Sequence, residues 1–207
     1  ILLRYRENAI YYAHEHRFND AYLEIFENDP FEFFSGKYEL LELIEPFLRF
    51  SRKQVTYFCK ATKLNTDDVE DDDIKIAKTE EDYSNLYDLL KRIEEFQYHK
   101  KDKEKYVHEK TMSKQMGITL FLEADGKTIS TVATTAETTK SAMVVAVATH
   151  EKYRNQGYAT RLMKALMKKY FIEKKKELCL FYDNPDAGKI YLSLGFKPMG
   201  KWTMFRK

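Results

Sequence analysis

The chain has 207 residues, 43% of them hydrophobic, with 35 Lys and Arg against 33 Asp and Glu, a net charge of +2. That length buries a full core in one large domain or two small ones. The near-neutral charge lacks the basic excess of a nucleic-acid binder, and no apolar run approaches the ~18 residues of a membrane helix.

Residues 2–15 (LLRYRENAIYYAHE) read as two strands around a turn at Glu7 and Asn8. Arg4 and Arg6 follow the first apolar residues at once, so no signal peptide is expected, and the first residue, not Met, suggests a chain trimmed at its start. Asn19 is placed to cap a helix of Ala21, Leu23, Ile25 and Phe26 that ends near Asp29 and Pro30. Between residues 37 and 50, Leu40, Leu41, Ile44 and Leu48 recur at helical spacing, and Pro46 should bend or end that helix. The aromatic and β-branched stretch 54–61 reads as a strand. His14 and His16 would share a strand face, but no further metal ligand stands near, so both read as core or surface residues.

Composition then shifts. Residues 65–73 (NTDDVEDDD) hold six acidic residues and only Val69 as an apolar one. This is a solvated linker; a calcium loop would need a central Gly and a distal Glu. Beyond it come a strand at 74–77 and an amphipathic helix at 82–96 with Leu86, Leu89, Leu90 and Ile93 on one side. The Lys-rich stretch 98–114 reads as an exposed, mobile helix. Asp125–Gly126 between 118–123 and 128–134 is a hairpin signal. Residues 142–148 are apolar throughout, as in a strand at the centre of a sheet. A helix at 158–171 should turn Leu162, Leu166 and Tyr170 inward and Arg161, Lys164 and Lys168 outward. A strand at 178–182, a helix at 186–194 and a strand at 202–206 follow. Cys59 and Cys179 sit in apolar runs and read as buried thiols of a cytosolic protein, not a disulfide.

Residues 153–162 read YRNQGYATRL. A buried strand that runs through a small-residue loop into a helix offers unpaired backbone N–H groups and a dipole that favours anions. Gly157 and Ala159 keep the surface low, and Arg154 adds a fork suited to phosphate. The alternative is an ordinary strand–helix connection. The loop is neither a P-loop nor a three-glycine dinucleotide fingerprint. A second motif lies at 183–196, DNPDAGKIYLSLGF, with Asn184, Ala187, Ile190, Tyr191, Gly195 and Phe196.

Together, RNQGYA and this second motif resemble the GNAT superfamily of acyl-CoA-dependent N-acyltransferases, in the family's order and with roughly its spacing. The resemblance runs from Ile74 to the end. It implies an α/β (α+β) fold: a mixed, mostly antiparallel sheet flanked by helices, with a V-shaped gap beside the central strand. Residues 1–65 are similar to a partial, degenerate N-terminal half of the tandem GNAT-like proteins of low-GC Gram-positive bacteria. On that reading 66–73 is the acidic linker and 74–207 the acyltransferase domain. Acetyl-CoA is then a co-substrate, and no metal is implied.

The resemblance also assigns residues. The backbone of Val147 and Thr149 would hold the pantetheine arm. The main chain of Arg154, Asn155, Gln156, Gly157, Tyr158, Ala159 and Thr160 would hold the pyrophosphate. Asn184 would reach the pantetheine amide, unless it is only a helix cap. The chain departs from the family pattern at Thr149 and Glu151. Tyr191 would protonate the departing thiolate, since a phenol of pKa about 10 is neutral at pH 7; the alternative is a core aromatic. An amine acceptor must first lose a proton, for which Glu95, Glu137, His150 and Asp183 are candidates, Glu95 foremost because it follows a helix that borders the family's acceptor pocket. A water chain is the alternative. Lys174, Lys175 and Lys176 read as a wet helix C-terminus, or as a patch for the CoA 3′-phosphate or an acidic partner.

The implied function is transfer of an acetyl (acyl) group from acetyl-CoA to a small-molecule or peptide amine in the cytoplasm. No nucleic-acid or membrane partner is expected, and assembly as a homodimer is compatible with the chain. A non-catalytic acyl-CoA-binding or regulatory module is the alternative. A nucleic-acid binder using Lys-rich segments 99–110 and 164–176 fits the charge least well.

Overall fold

The computed structural model of the chain describes residues 1–5, 7–15, 17–19, 21–28, 31–65, 69, 71–93, 96, 102–112 and 117–207. His16, Asp29, Pro30 and Glu95 lie outside the described residues, as do most of the acidic stretch before Asp71 and both ends of the Lys-rich stretch. In chain order the elements are β1 (Leu2–Tyr5), β2 (Asn8–Tyr11), α1 (Ala21–Asn28), β3 (Phe33–Lys37), α2 (Tyr38–Ile44), β4 (Arg52–Ala61), β5 (Lys75–Ile76), α3 (Glu80–Leu90), α4 (Lys103–Met112), β6 (Thr119–Ala124), β7 (Lys127–Thr135), β8 (Ser141–Thr149), α5 (Tyr158–Lys168), β9 (Glu177–Tyr182), α6 (Pro185–Ser193) and β10 (Lys197–Arg206). They form two compact units: residues 1–59, 181–188 and 197–207, and residues 60–180 and 189–196.

In the first unit the strands lie in the order β1-β2-β3-β10-β4, with β2 and β3 parallel. Asn19 Oδ1 accepts the Ala21 N–H at 3.0 Å, which starts α1. Pro46 falls in a 3₁₀ turn, Glu45–Phe47, that closes α2, because Pro cannot continue the helical ladder. Strand alternation turns Ala9, Tyr11, Phe34 and Phe205 toward Phe26, Leu40, Leu41 and Ile44 to form a buried, largely aromatic core.

In the second unit the order is β9-β8-β7-β6-β5, antiparallel except for β8 and β9. Asp125 and Gly126 join β6 to β7 with φ of 51° and 70°, the signature of a type I′ turn. Phe121 of β6 packs on Tyr83 and Leu86 of α3. Its neighbour Leu120 lines a shallow groove with Ala165 of α5. Successive strand residues point to opposite faces, so α3 and α5 cover opposite faces of the sheet. Thr128–Thr134 of β7 are buried accordingly.

Four expectations are corrected here. Helix α3 ends at Leu90, not at 96, and α5 passes at Lys168 into a π turn, Lys169–Glu173. Helix α4 is not exposed all round: Tyr106 and Val107 pack on the Tyr83 cluster, and burial pushes the Tyr106 phenol up to about 12. Arg161 and Lys168 do lie off the buried face of α5, where they pair with Asp73 and Asp71. Lys174 and Lys176 are not a wet terminus but are folded into the second unit by Glu137. Among the described residues no helix is long and apolar enough to cross a membrane.

Candidate acyl-CoA site

One irregular residue breaks the register of β8 against β7. Thr131 faces Ala148 and Ala133 faces Val145, so Val132 alone stands opposite Ala146 and Val147. This is a β-bulge, and Ala146 takes a φ of 52° to make it. A non-glycine residue there costs about 1–2 kcal/mol, repaid by the surrounding sheet. On its other edge β8 pairs with β9 only at Ser141, Ala142 and Met143. Among the described residues, 144–149 therefore have no ladder partner in β9, which leaves an open backbone edge containing Val147 and Thr149. The Thr149 hydroxyl lies 2.8 Å from the Ser130 hydroxyl, and its carbonyl accepts Arg154 Nε at 3.2 Å.

Beyond β8 a 3₁₀ turn, Glu151–Tyr153, leads to the helix. Arg154 and Gln156 fold back on the loop, Gln156 Nε2 donating to the Lys152 carbonyl at 3.2 Å. Asn155 has φ of 61° and Gly157 of 83°, and a Cβ on Gly157 would meet nothing within 4 Å. The first bond of α5 runs from Arg161 N–H to Gly157 O at 2.9 Å. The N–H groups of Tyr158, Ala159 and Thr160 thus lack intrahelical acceptors. No side chain caps this end and no acidic residue stands in its first turn. Helix α3 is the contrast: Thr79 and Asp82 form a capping box, and Glu80, Glu81 and Asp82 fill its first turn. One helix satisfies its own N-terminus; the other, among the described residues, leaves its positive end without a side-chain cap, behind a glycine that borders open space. That arrangement suits the pyrophosphate of CoA.

Tyr191 is 7% exposed, edge-on to Phe196 at 6.1 Å, and burial pushes its phenol up to about 12. It is therefore a neutral donor across the whole physiological range. Gly195 of the same motif leaves no room for a side chain, since a Cβ would stand 2.5 Å from Asn65 Nδ2. Asn184 begins α6: its Oδ1 accepts the Asp186 N–H at 2.9 Å and its carbonyl the Gly188 N–H at 3.0 Å. Its side-chain oxygen thus acts as the helix cap.

The candidate bases divide sharply. Burial alone would raise the Glu137 carboxyl, but hydrogen bonds from Lys174, Lys176 and Tyr170 overcome this and bring it down to about 2. A carboxylate so stabilised abstracts no proton from an ammonium, and Glu137 is corrected from candidate base to structural hub. Tyr170, buried and bonded also to Thr134 at 2.7 Å, is raised in turn. His150 Nδ1 accepts the Lys152 N–H at 3.3 Å, which puts the proton of the neutral ring on Nε2. Asp183 accepts Gln54 Nε2 at 2.7 Å. The bulge at Ala146 and the Glu137 hub carried no sequence signal: an alanine in an apolar run and a lone glutamate look alike anywhere.

The chain matches the model of the Acetyltransferase (GNAT) family over residues 83–196. No curated protein matches it. Among solved structures it is similar to a GCN5-related N-acetyltransferase from Kribbella flavida, at 14% identity and a TM-score of 0.67 over 97% of this chain and 80% of that one. A GNAT-family protein from Novosphingobium aromaticivorans aligns at 18% identity and 0.59, over 76% of this chain and 65% of that one, just under two thirds of its length. A tandem GNAT protein of the clavulanic acid biosynthesis pathway aligns at 11% and 0.59, over 97% and 75%. At these identities the likeness is one of fold.

Proposed function

Because the chain belongs to the GNAT acetyltransferase family, we propose that it transfers an acetyl group from acetyl-CoA to an amine. The observation that carries this reading is the bare N-terminus of α5 behind Gly157, next to the open edge of β8. The pyrophosphate fits the N–H groups of residues 157–160, and the pantetheine arm fits the unpaired edge at Val147. Attack of a neutral amine on the thioester carbonyl forms the C–N bond, and collapse breaks the C–S bond and releases a thiolate. Tyr191 donates to that sulfur. A thiol of pKa about 8.5 is more acidic than a phenol near 12, so the donor stabilises the thiolate chiefly by hydrogen bonding. Removal of the amine proton is assigned to Glu95, on its place after α3.

The same reading makes residues 1–65 a partial tandem half from a low-GC Gram-positive bacterium, the acceptor a small molecule or peptide, and the setting cytoplasmic. The alignment of 97% of this chain on a tandem GNAT protein supports the first of these, and the free thiols of Cys59 and Cys179 support the last. Homodimer assembly remains part of the proposal. Calorimetry with acetyl-CoA tests the site. Gly157→Glu puts a carboxylate into the open space where phosphate is expected, and should weaken binding at least about 100-fold. Unchanged affinity moves the site elsewhere. Amine-dependent release of CoA from the parent chain separates a transferase from a binding module.

A further inference from the structure

Three rings and two ammonium groups cluster in the first unit. Tyr57 stacks on Tyr182 with centroids 5.2 Å apart. The Lys201 ammonium stands 5.7 Å from the Tyr57 ring and 5.5 Å from the Tyr38 ring. Lys53 lies 5.7 Å from Tyr38. The two cations are held differently. Lys53 is anchored by the carboxylates of Glu42 and Glu45. Lys201, among the described residues, is in no ion pair and is held by the two rings.

Such a contact at an exposed site contributes about 0.5–1 kcal/mol, so it exchanges readily. The slot is also reachable, since Tyr57 is 44% exposed and Lys201 is exposed. Tyr38 donates its hydroxyl to Glu42, which raises its phenol and keeps a negative group beside the ring. Two electron-rich faces that share one cation outside any ion pair among the described residues select for a soft, diffuse charge over a hard metal ion. We infer that Tyr38 and Tyr57 form a binding slot for an organic ammonium group, filled from within by Lys201 and open to an external primary or quaternary ammonium. The inference concerns binding alone and stands apart from the acetyl-transfer reading.

The test uses choline and its neutral carbon isostere, dimethylbutanol, titrated into the parent chain, Lys201→Met and Lys201→Gln. Ring currents should move the choline N-methyl protons upfield in a saturable way in both variants, and less in the parent, where the tethered ammonium competes. Choline should bind Lys201→Met about tenfold more tightly than dimethylbutanol does. Adding Tyr57→Leu to Lys201→Met should remove the shift. Equal shifts from the neutral isostere show only an apolar patch and overturn the inference. So does an unshifted choline signal in variants with the parent's circular dichroism spectrum. Loss of fold in both Lys201 variants also overturns it, because Lys201 is then a fixed structural group.

Discussion

Tyr191 and Glu137 show how burial alone does not set a side chain's role. Both are largely covered, yet the phenol is held neutral by loss of water and the carboxylate is held charged by its donors. Tyr191→Phe keeps the ring against Phe196 and removes only the hydroxyl. Turnover should fall by roughly 10²–10³-fold with little change in acetyl-CoA affinity, because the hydrogen bond to sulfur strengthens only as the thiolate forms. A core role predicts a lower melting temperature with full kcat, so both are measured on one preparation. Glu137→Gln removes the charge between Lys174 and Lys176 and should cost about 3 kcal/mol of stability, the usual loss when one partner of a mostly buried pair disappears. The folded carboxyl lies below its ordinary 4.5, so its contribution is complete above that pH and is lost as pH falls toward about 2. Melting curves of parent and variant should therefore stay a constant distance apart above pH ~5 and converge in acid. A gap that holds down to about pH 2 would show that packing, not charge, sets the difference.

At the scale of elements, α3 and α5 make a matched pair, each starting beside the sheet but finished differently. The loop of α5 was legible as a glycine behind a buried strand, and the body of α3 as helical periodicity, since each depends on residues a few positions apart. The capping box of α3, Thr79 with Asp82, lies before the start at 82 that the apolar pattern marked. The ends were less legible: α3 stops short of residue 96, and α5 loosens into a π turn fixed by the Glu137 hub, a contact across more than thirty residues. The bulge at Ala146 is illegible for the same reason, being set by register against β7. Two substitutions separate capping from binding. Thr79→Ala should lower stability by about 1 kcal/mol and leave acetyl-CoA affinity alone. Gly157→Ala should cost about as much through its positive φ, and should also weaken acetyl-CoA binding, because its methyl group projects into the open space assigned to the pyrophosphate. Parallel thermal melts and calorimetry on the two variants read both effects; a large affinity loss in Thr79→Ala would break the contrast.

For the molecule as a whole, the sequence separated an aromatic N-terminal third from a domain with two spaced motifs. The structure adds what no linear reading supplies: residues 181–188 and 197–207 join the first unit, so that the second motif is divided, 183–188 in the first unit and 189–196 in the second. Local patterns cannot reveal such a return, because strand order is decided by pairings between distant segments such as β3 and β10. The first unit has its own core around Phe26, Phe34 and Phe205; its α1 starts on the Asn19 side chain, and α2 starts at Lys37 without a side-chain cap but also without a positive-φ glycine before it. Residues 1–65 contain no strand that runs through a positive-φ glycine into an uncapped helix, among those described. This part should therefore stabilise the protein without binding a second CoA. Calorimetry of the parent chain should give one acetyl-CoA per chain, and Gly157→Glu should abolish that single event without uncovering a weaker one. A residual binding event in Gly157→Glu, or a ligand found bound within residues 1–65, would mean that the N-terminal part keeps a site of its own. The loss of all binding through one glycine would instead tie the whole chain's use of acetyl-CoA to the first turn of α5.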